Sequence, residues 1–217
     1  MLPVQRHLQR ATELAIAAVT IQSDDQLRWL GAEAAGNRWR LPVLNETLLV
    51  DLSAERVATQ AGLDVGPLWR ILTLHYLATA SRPDRLPPEI TFADLATARS
   101  YAKVYRQRAI ARLCATVGCD SARLARAAME LGGRAIAAGD AAFDFDMFPR
   151  LTLRLVWYAG DDELPPDASL LLPPNIESYF TAEDVVVLSE RLVSRLAGQP
   201  WIGKSQESVG PAGETMR

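Results

Sequence analysis

The clearest pattern in the chain is a strict alternation of apolar and polar positions in two neighbouring stretches, 143–147 and 151–157. Successive side chains of a strand point to opposite faces, so a period of two predicts strands that each bury one face. The connection between them, 148–150, is short, which predicts an antiparallel hairpin. Residues 134–138 predict a further strand ahead of it. Alternation in the first third of the chain predicts shorter strands at 39–43, 48–52 and 56–59.

Apolar side chains spaced three to four residues apart predict helices elsewhere in the chain. The predicted helices cover the first 22 residues, 26–34, the residues after Pro67, 97–117, 121–131 and the residues after Thr181. Within 97–117 the apolar positions change sides, because Tyr101 and Ile110 lie on opposite faces of a regular helix. This helix is therefore either covered on two sides or interrupted near Arg106.

Together these elements predict an α+β fold in which an antiparallel sheet packs against several helices. A length of 217 residues is the size of one domain. We expect a single α+β domain over 1–198 and a flexible C-terminal tail over 199–217, where Gly, Pro, Ser and Glu dominate. The aromatic side chain of Trp201 predicts that the beginning of this tail is anchored onto the domain.

The composition narrows the class of protein. With 49% hydrophobic and 23% charged residues, the chain has the composition of a soluble globular protein. Its start does not resemble a signal peptide, and no stretch approaches the roughly 20 apolar residues of a membrane span, so we expect a cytoplasmic protein with no membrane partner. The net charge of −3 argues against a nucleic-acid partner. Two cysteines are too few for a disulfide scaffold or a four-cysteine metal centre.

Charge is unevenly distributed along the chain. Residues 99–126 contain seven basic side chains and one acid, whereas residues 139–190 contain eleven acids and two bases. One interpretation is that the two regions complement each other across the fold or are simply solvated. The alternative is that the basic helix, residues 99–126, binds phosphate or an acidic protein partner.

Several short motifs follow one another in a fixed order over the second half of the chain. They are LTLHYL (72–77), GG (132–133), GD (139–140), FP (148–149), GDDEL (160–164) and ED (183–184). This order resembles a prokaryotic family of unknown function, common in anaerobes, with LxLHYL, GG…GD, FP and GD(D/E)E motifs. The stretch LLLPPN (170–175) departs from the family pattern, which has an acidic residue after a Phe at that place.

The resemblance implies a role without implying an established activity. Some longer members of the family carry a Cys-rich module that looks like an iron–sulfur binder of the kind found in corrinoid-linked one-carbon enzymes, and these 217 residues contain no such module. The resemblance implies an accessory or binding protein of a redox or corrinoid/tetrapyrrole-linked system. Its ligand would be a small molecule or a tetrapyrrole.

His75 is the first candidate for a ligand-binding residue, because it lies within an apolar helix. A buried imidazole needs a hydrogen-bond partner. One interpretation is a core histidine bonded to a backbone carbonyl or a carboxylate. The other is an axial ligand to a haem or corrinoid metal, or one ligand of a divalent metal. The only other histidine is His7, so a multi-histidine zinc site is excluded.

The second candidate is a group of carboxylates, Asp161, Asp162 and Glu163, with Asp140 from the earlier GD step. They follow a predicted strand at a glycine, where Asp side chains often bond the amides of a tight turn. Alternatively, they form a hard-cation site or a general acid–base pair.

Three hypotheses for function therefore remain open. The first is an accessory or ligand-binding protein in which His75 faces a pocket. The second is a carboxylate-based enzyme, with or without a divalent metal. The third is a protein-interaction module that uses the basic helix.

Overall fold

The computed structural model describes residues 3–84, 87–95, 98, 101–118 and 120–202, with side chains from His7 onward. It is an α+β fold, as expected. Its helices are α1 (Pro3–Thr20), α2 (Asp24–Trp29), α3 (Pro67–Leu77), α4 (Ala102–Tyr105), α5 (Arg112–Val117), α6 (Ser121–Glu130) and α7 (Ala182–Leu196). Short 3₁₀ turns lie at Phe92–Asp94 and Ile176–Ser178.

The strands form two antiparallel sheets. The first sheet has the order β1-β2-β3-β4, and its strands are β1 (Glu33–Ala35), β2 (Arg38–Val43), β3 (Glu46–Asp51) and β4 (Arg56–Thr59). The second has the order β5-β9-β8-β7-β6, with β5 (Ile90–Thr91), β6 (Arg134–Ile136), β7 (Ala141–Phe148), β8 (Leu151–Tyr158) and β9 (Asp167–Leu172). The predicted hairpin is confirmed as β7 and β8, in which Phe143 lies opposite Leu155.

Three strands, β1, β5 and β9, were not predicted from the sequence. In β9 the buried residues Ala168, Leu170 and Leu172 alternate with more exposed ones, which is the strand pattern. Prolines on both sides of this stretch obscure the signal. The strand β5 has only two residues, too few for any periodicity. Residues 26–34 were predicted as one helix. The helix α2 begins earlier, because Ser23 caps it, and it ends at Trp29, whereas the end of the predicted segment lies in β1.

The helix predicted over 97–117 is interrupted at Arg106, one of the two outcomes expected. A π-helical segment, Arg106–Ala111, lies between α4 and α5. A π segment widens the turn and rotates the residues that follow. Tyr105, Ile110 and Leu113 are therefore all buried although their spacing does not fit one α-helical face.

One apolar core connects both sheets with the helices. The helices α3 and α7 cross it side by side in opposite directions. The end of α3 meets the beginning of α7 at His75 and Asp184, and the beginning of α3 meets the residues after α7 at Trp69 and Trp201. Trp201 is buried with its ring centroid 4.4 Å from that of Trp69, so its predicted anchoring role is confirmed.

Most of the predicted C-terminal tail, residues 203–217, lies outside the described residues. Among the helices that the structure describes, none combines the length and the apolar character that crossing a membrane would require.

Candidate functional site: a histidine–aspartate pair at an open depression

The imidazole of His75 is paired with a carboxylate. Its Nδ1 lies 3.0 Å from Oδ1 of Asp184, a residue 109 positions later in the chain. The side chain of His75 is 29% exposed, so it is not sealed in the core as the apolar helix around it had indicated. It lies in the last turn of α3.

Asp184 has two functions at once. Its Oδ2 accepts hydrogen bonds from the backbone N–H and the hydroxyl of Thr181, at 3.1 and 2.8 Å, which completes the capping box at the start of α7. Burial by itself would raise the pKa of Asp184, but the bonds from His75 and Thr181, with attraction to His75, lower it below its ordinary value. At neutral pH the imidazole therefore faces a carboxylate.

This arrangement leaves one nitrogen of His75 without a partner. A carboxylate at Nδ1 favours the tautomer that has its proton there, so the lone pair of a neutral ring is on Nε2. The Nε2 atom has no hydrogen-bond partner among the described residues. Its lone pair is therefore available to accept a hydrogen bond or to bind a metal.

The ring of His75 borders a shallow depression of about 320 Å³. Its other lining residues are Ala78, Glu177, Tyr179, Phe180, Thr181 and Asp184. Phe180 lies against Phe148 and Tyr179 is stacked near Tyr76, so this wall is continuous with the core. The depression therefore joins an apolar wall to one imidazole.

The carboxylates predicted as a second site are placed in turns. Oδ2 of Asp140 accepts the backbone N–H of Ala159 at 2.8 Å. Oδ1 of Asp161 accepts the N–H groups of Glu163 and Leu164 at 2.9 and 2.8 Å, and these bonds lower the pKa of Asp161. Asp162 and Glu163 are exposed. The geometry is that of the turn described above as one of the two interpretations.

The structure does not bring His75 and these carboxylates together. Asp140 and Gly160 lie at the end of the β7–β8 hairpin where β7 begins. The wall of the His75 depression contacts Phe148, at the opposite end of the same strand. An eight-residue strand is roughly 23 Å long at about 3.3 Å per residue, so the two places are separate. Within the part of the chain that is described, no group of three or more His, Cys, Asp or Glu side chains is arranged to hold a metal ion.

The basic helix is partly neutralised by the acidic region. Arg106 pairs with Asp167 at 3.4 Å, and Arg108 pairs with Glu190 at 2.6 Å. Both acids come from the segment 139–190, so these two pairs support the interpretation that the two regions complement each other. The beginning of the basic helix, Arg99, lies outside the described residues.

Sequence reasoning missed the role of Asp184. Acidic residues such as the ED motif are typical of the first turn of a helix, and capping is indeed one function of Asp184. Nothing local in the sequence pairs Asp184 with His75, since the contact depends on how α3 and α7 pack. The only sequence signal was the need of a half-buried imidazole for a polar partner.

Fold and site together define an α+β protein with two antiparallel sheets and an imidazole–carboxylate pair at an open depression. Residues 25–195 match the family model described as a domain of unknown function (DUF3786), and this match covers most of the chain. The protein therefore belongs to that family, which agrees with the predicted resemblance to a family of unknown function. No curated protein and no solved structure matches the chain.

Proposed function

We propose that the protein is a ligand-binding accessory protein that offers Nε2 of His75 to the metal of a tetrapyrrole or corrinoid. The observation that carries this proposal is the partly buried imidazole whose Nδ1 is held by a carboxylate and whose Nε2 has no partner among the described residues. Histidines that bind metals commonly donate their other N–H to a carboxylate, which fixes the tautomer and raises the basicity of the ligating nitrogen.

The number of donors favours a metal that arrives with its own ligands. His75 supplies a single nitrogen ligand. Among the described residues, no group of three or more His, Cys, Asp or Glu side chains is arranged to hold a bare metal ion. A macrocycle supplies the equatorial ligands itself and needs only an axial ligand from the protein. A lone imidazole is sufficient for that purpose.

The surroundings fit the edge or one face of such a group. Ala78, Tyr179 and Phe180 give the depression an apolar wall, which suits a flat ring system. The volume of about 320 Å³ is at the small end of ligand pockets, which span about 300–1,000 Å³. The depression is open, so a macrocycle bound there would remain partly exposed.

The test is a spectroscopic titration of the full chain with haemin and, separately, with hydroxocobalamin. We expect a saturable shift of the Soret band, or of the corrinoid bands, for at least one of the two. His75→Ala should abolish the shift, and His7→Ala is the matched control because His7 is the other histidine and is exposed. Flat titrations with both compounds, or a shift unaffected by His75→Ala, would refute the proposal.

A second variant tests the role of the carboxylate. Asp184→Asn keeps the size of the side chain but removes its charge, and we expect it to weaken binding by roughly tenfold, as loss of such partners does. Circular dichroism of each variant checks that the fold is retained.

The two other hypotheses have less support from the structure. Asp140 and Asp161 bind the amides of their own turns, and Arg106 and Arg108 are engaged by acids of this chain. We therefore place the carboxylate enzyme and the interaction module behind the ligand-binding function.

A further inference from the structure

A second cavity lies at the opposite end of the α3–α7 pair from His75. It has a volume of about 330 Å³. Its lining residues are Gly66, Pro67, Leu68, Trp69, Arg191, Gln199, Pro200, Trp201 and Ile202. The first turn of α3 thus forms one wall, the chain after α7 forms another, and α7 itself contributes one cation.

The apolar part of this cavity is aromatic. The ring centroids of Trp69 and Trp201 are 4.4 Å apart, and the two rings are tilted by 45°. The pair is held in place by a hydrogen bond from the N–H of Gly66 to the carbonyl of Trp201, at 2.9 Å. The guanidinium of Arg195 lies over the Trp201 ring, 4.9 Å from its centroid. This wall is therefore a fixed surface for an aromatic or other apolar group.

The cation of this cavity, Arg191, has no bonding partner in the described structure. Its Nε is buried and makes no hydrogen bond. No ion pair joins its guanidinium to any carboxylate among the described residues. A buried guanidinium nitrogen without a partner is costly, and Arg191 as a whole is only partly buried, so the rest of its guanidinium stays accessible. Burial, which is the largest cause, lowers the pKa of Arg191.

The neighbouring charges do not supply the missing partner. Glu190 attracts Arg191, but its Oε1 already forms an ion pair with Nε of Arg108, at 2.6 Å, although without hydrogen-bond geometry. Arg108 and Arg112, from the π segment and α5, repel Arg191. Among the charges that act on Arg191, two are arginines and one is a carboxylate, so positive charge predominates around it. In addition, no side chain caps the beginning of α3, whose backbone N–H groups favour negative charge.

We propose that this cavity binds a small organic anion, with its carboxylate or phosphate group on Arg191 and its apolar part against Trp69 and Trp201. The volume limits the occupant to a small molecule. The site is distinct from the His75 depression and does not depend on the function proposed there, since Trp69 precedes His75 by six residues, or about 9 Å of helix.

The experiment is an NMR titration of the ¹⁵N-labelled full chain, in which the indole N–H signals of Trp69 and Trp201 are followed. The probes are phenyl phosphate and benzoate, which separate the two headgroups, with benzyl alcohol as the neutral analogue and inorganic phosphate as the bare anion. We expect saturable shifts of both indole signals with at least one aromatic anion, and at least tenfold weaker binding of benzyl alcohol and of inorganic phosphate.

Variants test the role of the cation. Arg191→Gln should weaken binding of the aromatic anion at least tenfold, and Arg191→Lys should restore part of it. Arg126→Gln is the matched control, because Arg126 is exposed on α6 and does not line the cavity, and it should change binding less than twofold. If Arg191→Gln does not fold, the proposal is tested by Arg191→Lys and by the comparison of charged and neutral probes on the unmodified protein. Equal binding of benzyl alcohol and the aromatic anions would then overturn it. The absence of a saturable shift up to about 10 mM probe, roughly ten times a millimolar Kd, would overturn the proposal, and so would equal binding by Arg191→Gln and the unmodified chain.

Discussion

Replacing Asp184 by alanine should destabilise the protein far more than replacing its neighbour Glu183. Asp184 accepts hydrogen bonds from His75 and from the N–H and hydroxyl of Thr181. Glu183 is exposed in the same first turn of α7 and lies outside the capping box. The two variants therefore compare a carboxylate that joins α7 to α3 through His75 with a carboxylate that makes no such contact.

The magnitude follows from the bonds that are lost. Asp184 is the third residue of α7, and the hydrogen bonds that its side chain accepts from the N-cap residue Thr181 contribute about 1 kcal/mol. The bond to His75 adds about 1–2 kcal/mol, because one partner is charged and the site is half-buried. Asp184→Ala should thus lower the free energy of unfolding by about 2–3 kcal/mol. For a protein of this size that corresponds to a fall of about 5–10 °C in melting temperature.

The loss should also depend on pH, with a definite sign. The pKa of Asp184 is lower in the folded state than in the unfolded chain. Its contribution to stability is therefore fully present above the unfolded value of about 3.9 and is lost as the pH falls through the folded pKa. The difference in stability between the unmodified protein and Asp184→Ala should be complete at pH 7 and should shrink below about pH 4.

Urea denaturation at pH 7 and at intervals from pH 5 to 3, for both variants and the unmodified chain, measures these quantities. The other carboxylates with lowered pKa values, such as Asp161, are present in all three proteins and cancel in the comparison. The reasoning is wrong if Asp184→Ala lies within about 0.5 kcal/mol of Glu183→Ala at pH 7, which is the usual scatter of surface substitutions, or if the difference does not shrink in acid.

Two further substitutions test the packing around the candidate sites. The buried hydroxyl of Tyr76 makes two backbone hydrogen bonds, at 2.7 and 3.1 Å, so Tyr76→Phe should cost about 1–3 kcal/mol in urea denaturation, whereas Tyr158→Phe, at an exposed position, should be near neutral. Gly160 has φ of 73°, and a Cβ there would lie 2.5 Å from the carbonyl oxygen of Leu164. Gly160→Ala should therefore cost about 1–3 kcal/mol more than Gly36→Ala, which has a similar φ and an open environment. Equal costs in either pair would contradict the packing described here.

Local patterns predicted most of the fold. The alternation in 143–147 and 151–157 depends on neighbouring residues only, and it correctly predicted the hairpin of β7 and β8. The change of apolar face in the helix over 97–117 left two outcomes, coverage on two sides or an interruption near Arg106, and the structure shows the second as a π segment. The strand β9 was missed because prolines surround its alternation, and the division into two sheets was missed because sheet membership depends on strand pairing.

For the candidate sites, too, the sequence predicted some features and the tertiary structure decided the others. From the sequence alone, His75 could be recognised as an imidazole that needs a polar partner, and Trp201 as an anchor, because both conclusions follow from the nature of one side chain and its neighbours. The identity of the partners was decided by the tertiary structure. Asp184 meets His75, and Arg191 is left without a carboxylate beside two tryptophans, only because α3 and α7 pack in opposite directions across one core. Contacts between residues more than a hundred positions apart carry no local signature, since they depend on the packing of whole elements.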